Sequence, residues 1–592
     1  MIPCIFVEND ATKLKNEAAR VELFETTPFL SAKMKTRHDF LQFICLLASA
    51  ILIVLTQTSS NLLFVSWPPQ SSFGLRHRQR LLSSHPTIAP GELPGYTGWA
   101  RPERTAAGHF RIVRCSSCAS SSLFSSFGGG SIDPNQQQFV VETGEEFYVD
   151  VRCSHPICSY NQDGITSEFY LRAYGPSVII GVAQKLDDGN DADGTTYRLS
   201  YYPNDAGSYT VEAVVAFANP PSILALPLDG ADGKEEPGYE GYLLYHFPLR
   251  LEVLPCSATS KGDYNLSLCT TSQLPIYTNS IQDDVNILAK GRWVVTEKTR
   301  GSDYTERTAD PLHVSLEGYQ AAYNALGITM EYQPVGCRLV DLSWYGNLDH
   351  WLDGGQSSNI HLIFVGDSVM GLQHRTVRSA LQHQQSVSGG ARVSATIIGT
   401  HGGLAKRVEG VIEELQLIID ENPDERRFVL FNAGLHDIAQ LCSVKYKNAR
   451  NEYLGIADGE FSCVELYKTL LSKLTSFFAT YPAELVAFQT TSAGWMPYGN
   501  FGFAWNPNEY QPYSLSPNAV THFNEAAKEV VRDVSGGRFL VIDGYYITLA
   551  RPDHREIGED NAIGKHMVHP GTEVVDAMAS IWLTVVLNVL EQ

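Results

Sequence analysis

Positive charge is scarce in this 592-residue chain: 44 Lys and Arg stand against 65 Asp and Glu, a formal net charge of -21. Phosphate affinity needs a basic face, so the balance excludes a nucleic-acid binder. Zinc-site spacing is missing too. Cys115 and Cys118 form a lone CxxC in a Ser-rich tract, with no second CxxC and no histidine pattern behind it. The run Gly128-Gly-Gly-Ser131 has no strand before it and no Gly-Lys after it, which excludes a phosphate loop. No metal or nucleotide cofactor is implied.

Membrane-grade apolar runs are limited to one, Phe40 to Leu55, with a weaker extension to Val65. A span needs roughly 20 apolar residues. Lys33, Lys35 and Arg37 precede the run, and positive charge stays cytosolic. The favoured reading is a signal anchor: tail 1–39 inside, segment 40–65 in the membrane, and the rest in the Golgi or another secretory lumen. If translation starts at Met34, the same run is a cleavable signal peptide and the protein is secreted. Either way the chain meets an oxidising compartment. Nine of the eleven cysteines lie from Cys115 onward, and several are close neighbours: Cys153 with Cys158, Cys256 with Cys269, Cys442 with Cys463. Disulfides are the better reading of them. The sequon Asn265-Leu-Ser267 fits that compartment.

A chain of this length holds more than one folded unit. Residues 66–135 are rich in Pro, Ser, Gly and Arg and read as a disordered stem. From 136 to 255 short β-branched and aromatic runs recur, such as Phe147–Val151, Tyr197–Tyr202, Tyr209–Val215 and Phe247–Val253. Turns separate them, which predicts a β-sandwich. Asp205-Ala-Gly-Ser-Tyr209 reads as a corner where a Tyr hydroxyl ties back to the backbone. With Tyr202-Pro203 it resembles the filamin-type, immunoglobulin-like module. The acidic stretch Asp187–Gly194 lacks the later Glu of an EF-hand loop and reads as a solvated turn. Residues 256–359 read as a loop-rich connection.

From 360 onward strands alternate with helices. Strands are expected at Ile360–Val365, Val393–Gly399, Phe428–Asn432, Leu485–Thr491 and Phe539–Ile547. One helix gathers Leu404, Val408, Val411, Ile412, Leu415 and Ile419 on a face, another Tyr467, Leu470, Leu471, Leu474 and Phe478. A last helix runs from about 573 to 590. This predicts an α/β domain with a parallel sheet covered on both faces.

The candidate chemistry lies at the strand ends. The first strand runs into Gly366-Asp367-Ser368, and a helix follows. A small nucleophile there is where open α/β sheets place their sites, although a serine also simply caps helices. The next strand delivers Gly399-Thr-His-Gly-Gly403, whose N–H groups can face an oxyanion, and the third ends in Asn432-Ala-Gly-Leu-His-Asp437. Asn432 and His436 are candidate donors, and Gly434 lets the chain approach a substrate. A serine also needs a base. Lys565-His-Met-Val-His-Pro-Gly571 supplies His569 before the last helix, with His566, Asp560 and Asp553 nearby.

These four blocks resemble the PC-esterase branch of the SGNH (GDSL) hydrolase superfamily. That branch includes polysaccharide and sialate O-acetyltransferase domains, and neurexophilin/PC-esterase proteins that join a filamin-like β-domain to an esterase-like one. The resemblance covers roughly 136–592, most specifically 360–592. It implies a flavodoxin-like three-layer fold with Ser368 as nucleophile. Its N–H, Gly402 or Gly403, and a residue of the third block would form the oxyanion hole. Two positions depart from the pattern: His436 stands where the family has Asn, and His566 stands three before His569, where it has Asp. Asp560 is the substitute acid within reach in sequence. The implied activity is transfer or hydrolysis of carbohydrate O-acetyl esters, with an acetylated polysaccharide or glycan as partner, an acyl donor the sequence does not name, and no nucleic acid. The rival is a catalytically degenerate esterase fold that binds a glycan or a protein.

Overall fold

The computed structural model describes residues 106–116, 138–153, 155, 167–186, 194–217, 242–255, 266–277, 284–296, 329–342, 359–388, 393–442, 462–493, 517–551 and 570–591. The apolar run 40–55, the acidic residues 187–193, Asn265, Cys118, Cys158, Cys256 and the segment 552–569 lie outside them. The chain divides after Ser84, and every described residue belongs to the second unit. That unit is mixed α/β with two sheets.

The first sheet is built from β1 (Phe110–Cys115), β2 (Gln138–Glu142), β3 (Phe147–Cys153), β4 (Glu168–Tyr174), β5 (Ser177–Leu186), β6 (Thr195–Tyr201), β7 (Gly207–Phe217), β8 (Tyr242–Leu243) and β9 (Leu249–Leu254). A β-sandwich was expected; the strands pair into one curled, mixed sheet, continuous from one half to the other. The reason is β5. Its residues 178–180 pair with β4 and its residues 181–186 pair with β6, so one strand serves both halves. At the changeover stands Gly181, where a Cβ would meet Ser200 O at 2.8 Å and Leu171 Cβ at 2.9 Å. Only a glycine lets the backbones close up there. The expected corner is present: the Tyr209 hydroxyl donates to Asp205 O at 3.1 Å.

Two boundaries move. Strand β1 pairs with β3 although it falls in the stretch read as stem. The stretch read as connection contributes β10 (Ile276–Tyr277), α1 (Asp284–Leu288), β11 (Gly291–Thr296) and β12 (Thr329–Pro334). Strand β11 pairs with both β12 and β5, buries Trp293 to 1 % exposure, and clamps Asp205 with both nitrogens of a forked Arg292 contact at 2.9 Å. Such short, polar-interrupted strands carry little period-2 signal.

The second sheet has the order β10-β17-β16-β15-β13-β14. Its parallel strands are β13 (Ile360–Gly366), β14 (Val393–Gly399), β15 (Arg426–Phe431), β16 (Leu485–Gln489) and β17 (Leu540–Ile542). All five expected strands are present, but the sheet is not purely parallel. β10 runs antiparallel to β17, pairing Ile276 with Ile542, and covers an edge that would otherwise be open. The crossovers are α2 (Ser368–Ser388), α3 (Leu404–Glu421), α4 (Leu435–Cys442), α5 (Cys463–Thr480) and α6 (Pro517–Ser535), followed by α7 (Tyr545–Leu549) and α8 (Thr572–Leu590). Helix α3 buries Leu404, Val408, Val411 and Leu415, the face its periodicity marks. Among the described residues α8 alone has the length and apolarity of a membrane span, yet 72 % of that window is buried. It is a core helix here.

Cys442 and Cys463 are joined, as their proximity suggests. Cys269 is not paired with Cys256. Its partner is Cys337, 68 residues on, brought to a Cα separation of 4.9 Å. A backbone bridge explains this: Cys269 N–H donates to Arg338 O and Arg338 N–H to Ser267 O, each at 3.0 Å. Cys115 and Cys153 are each disulfide-bonded as well, and not to one another, since Cys153 stands opposite Phe110 and Cys115 opposite Val149.

Candidate active site

The chain passes from β13 to β14 on one side and then to β15 on the other, so the connections reverse direction at the carboxyl end of β13. Open α/β sheets form their crevice at such a switch point. Ser368 stands there as the first residue of α2, half-buried. Its N–H belongs to the first turn, where no carbonyl within the helix can accept it. Gly366 is required by space: a Cβ would lie 2.7 Å from Met370 Cβ. Asp367 is put to structural use. It is buried, and its Oδ1 accepts Val369 N–H at 3.0 Å, capping α2.

The second loop is held close to the first. Gly366 pairs with Gly399, and Thr400 N–H donates to Gly366 O at 2.7 Å. Gly402 and Gly403 follow at φ of 88° and 82°, a region that L side chains rarely adopt. Gly403 N–H closes a turn on Thr400 O at 2.8 Å, so Gly402 is the glycine whose N–H is not used in that turn. His401 is exposed at the tip, and its ring stands edge-on to that of His436, 6.2 Å between centroids.

The third loop puts two expected site residues to structural use. Asn432 Nδ2 donates to Gln489 O at 2.8 Å, with Thr491 Oγ1 at 3.5 Å, and sews β15 to β16. Gly434 is closely packed as well. A Cβ there would overlap Thr491, 1.8 Å from its Oγ1, so the glycine admits a neighbouring strand end. His436 is half-buried and lies with His401 at the mouth. Asp437 is buried beneath; burial, with the carboxylate of Asp367 adding to it, pushes its carboxyl up to about 7. At the last strand, burial pushes Asp543 up to about 6 while it accepts the Tyr546 and Ile547 N–H groups at 3.2 Å and caps α7.

No family model matches the chain, and no curated protein does. A solved structure, the crystal structure of TesA, is similar at 14 % identity, covering 38 % of this chain and 99 % of that one, with a TM-score of 0.21.

Ser368, Gly402, Gly403 and His436 thus come from three successive strand ends to one edge of the sheet. His569, His566 and Asp560 lie outside the described residues; the chain resumes at Pro570 and Gly571, both buried at the start of α8. Arg551 and Glu573 form a buried ion pair at 3.0 Å, with side chains 5 % and 8 % exposed. Sequence reasoning missed His401, Asp437 and Thr491 as parts of the site. Asp437 is visible in the third block, but its partners come from the second block, and no local spacing announces that.

Proposed function

We propose that this chain is a serine acyl-ester enzyme of the SGNH superfamily, on its PC-esterase branch, that transfers or hydrolyses carbohydrate O-acetyl groups. The observation that carries the reading is Ser368 at the switch point of the parallel strands, with a left-handed glycine turn and an imidazole on the adjoining strand ends. Ser368 Oγ attacks the acyl carbonyl and gives its proton to His569, the base that the sequence supplies. The charge that develops on the carbonyl oxygen is met by N–H groups of Ser368 and Gly402 and by the His436 ring. The intermediate collapses as His569 returns the proton to the leaving oxygen, so the donor departs as an alcohol; the acyl group then passes from Ser368 to a sugar hydroxyl or to water, according to how well the acceptor fits and water is kept out. In the same reading the curled sheet is the filamin-like module, and segment 40–65 anchors the chain with its bulk in the secretory lumen.

A second reading has a specific observation behind it. Asn432 and Gly434 are both turned to structural use, and no Asp stands three before His569. A degenerate esterase fold that binds a glycan or a protein fits those facts.

The test is acetyl release from p-nitrophenyl acetate and from an acetylated polysaccharide by the full chain, beside Ser368→Ala and His569→Ala. Turnover in the wild type, lost in both variants, is expected. Turnover that survives Ser368→Ala overturns the mechanism. A folded wild type inert on both substrates favours the binding protein.

A further inference from the structure

Beneath the glycine turn lies a carboxyl group that the acyl chemistry does not use. Asp437, in the first turn of α4, is 1 % exposed. Its Oδ1 accepts the N–H of Leu404, the first residue of α3, at 2.7 Å. Helices usually take that bond from their own N-cap side chain. Here the N-cap is Gly403, which has none. Nor can it gain one, because a Cβ on Gly403 would stand 2.9 Å from the same Asp437 oxygen. The missing cap and the borrowed one explain each other.

The turn is pinned on both sides. Thr400 N–H is held by Gly366 O at 2.7 Å, two residues before Ser368, and Leu404 N–H is held by Asp437. Only His401, Gly402 and Gly403 lie between the pins. Left-handed backbone of this kind persists where its surroundings over-determine it. The charged and polar groups felt around the carboxyl are Asp367 from the first block and the Tyr467 phenol from α5. Neither is a cation. With no cation among the described groups acting on it, the buried carboxyl is held by the hydrogen bond it accepts from Leu404 N–H.

We propose that Asp437 is the positioning residue of this site: by capping α3 across the crevice, it holds the Gly402–Gly403 turn in the form that oxyanion stabilisation at Ser368 requires. This rests on the reading of Ser368 as nucleophile and Gly402 as donor. Asp437 itself touches no substrate.

Three variants of the full chain test it: Asp437→Ala, Asp437→Asn and Gly403→Ala. Two readouts are kept apart, kcat and KM on p-nitrophenyl acetate and hydrogen exchange of the peptides covering 400–406 and β15. Asp437→Ala should lose kcat by the order of 100-fold, the usual effect of one lost oxyanion donor, with KM nearly unmoved. Exchange should quicken at 402–406 while β15 stays protected. Asp437→Asn keeps an acceptor oxygen and should recover most of that loss, whereas Gly403→Ala should resemble Asp437→Ala. Wild-type kcat in Asp437→Ala overturns the proposal, as does an Asn variant that falls as far as the Ala one. If the folded wild type is inert, the acyl reading fails and exchange alone judges the pin; unchanged exchange at 402–406 in Asp437→Ala then overturns it.

Discussion

Replacing Asp437 by Asn should flatten the dependence of stability on pH. In the folded chain this carboxyl is pushed up to about 7 from the ordinary 3.8. Burial is the largest cause, and Asp367 adds to it, while the hydrogen bond from Leu404 N–H opposes both. Between those two values the folded protein holds a proton that the unfolded chain has released. Stability from this group is therefore fully present below about pH 4 and is lost as pH rises to about 7. Linkage sets the slope at about 1.4 kcal/mol per pH unit, or roughly 4 kcal/mol over the whole interval. Asp543, raised to about 6, adds to the slope in the lower part of the range. Urea unfolding of wild type and Asp437→Asn at pH 5, 6, 7 and 8 would measure this. The wild type should lose roughly 3 kcal/mol more than the variant between pH 5 and 8, nearly all of it before pH 7.5. Parallel curves for the two proteins would refute the reasoning, because they would mean that Asp437 is ionised throughout.

Arg551→Met leaves Glu573 buried with Met330 N–H, at 3.3 Å, in place of its cation, and should destabilise the chain by roughly 3–5 kcal/mol by thermal unfolding. Arg551→Met with Glu573→Leu should recover much of that. Replacing Cys269 by Ser opens a loop of 68 residues and replacing Cys463 one of 21, so the losses should be roughly 4 and 3 kcal/mol by urea unfolding under non-reducing conditions. A fragment of residues 360–592 should fail to give a cooperative unfolding transition, whereas residues 85–592 should give one. The shorter piece lacks β10 and bares the surface that Trp293 covers, where its Nε1 donates to Ile547 O at 3.2 Å.

The parallel strands were legible because each is a short apolar run bounded by polar residues, and buried strands need that. The crossover helices announced themselves by one apolar face. The first sheet was legible strand by strand but not in its closure. Period-2 alternation shows which residues turn inward; it does not show that β5 leaves one neighbour for another at Gly181. β10 is two residues long and has no periodicity at all, so it was bound to be read as connection. The Cys269–Cys337 pair was hidden for a related reason. Sequence distance favours Cys256, and only the bridge between Leu268 and Arg338 overrules it.

The site shows the same division between local and long-range information. A serine after a strand and glycines after the next are local patterns, and the fold placed both at one edge. Which polar group does what is decided across strands. Asn432 has the chemistry of an oxyanion donor, but the end of β16 lies close enough to take its amide. Gly434 has the freedom to admit a ligand, but Thr491 already fills that space. In the reading proposed above, with Asn432 bonded to the end of β16, the third-block donor is the imidazole of His436. An imidazole donates from one nitrogen when neutral and from both when charged. In that reading His436 offers a ring N–H. That suits an ester carbonyl that becomes an oxyanion only in the transition state.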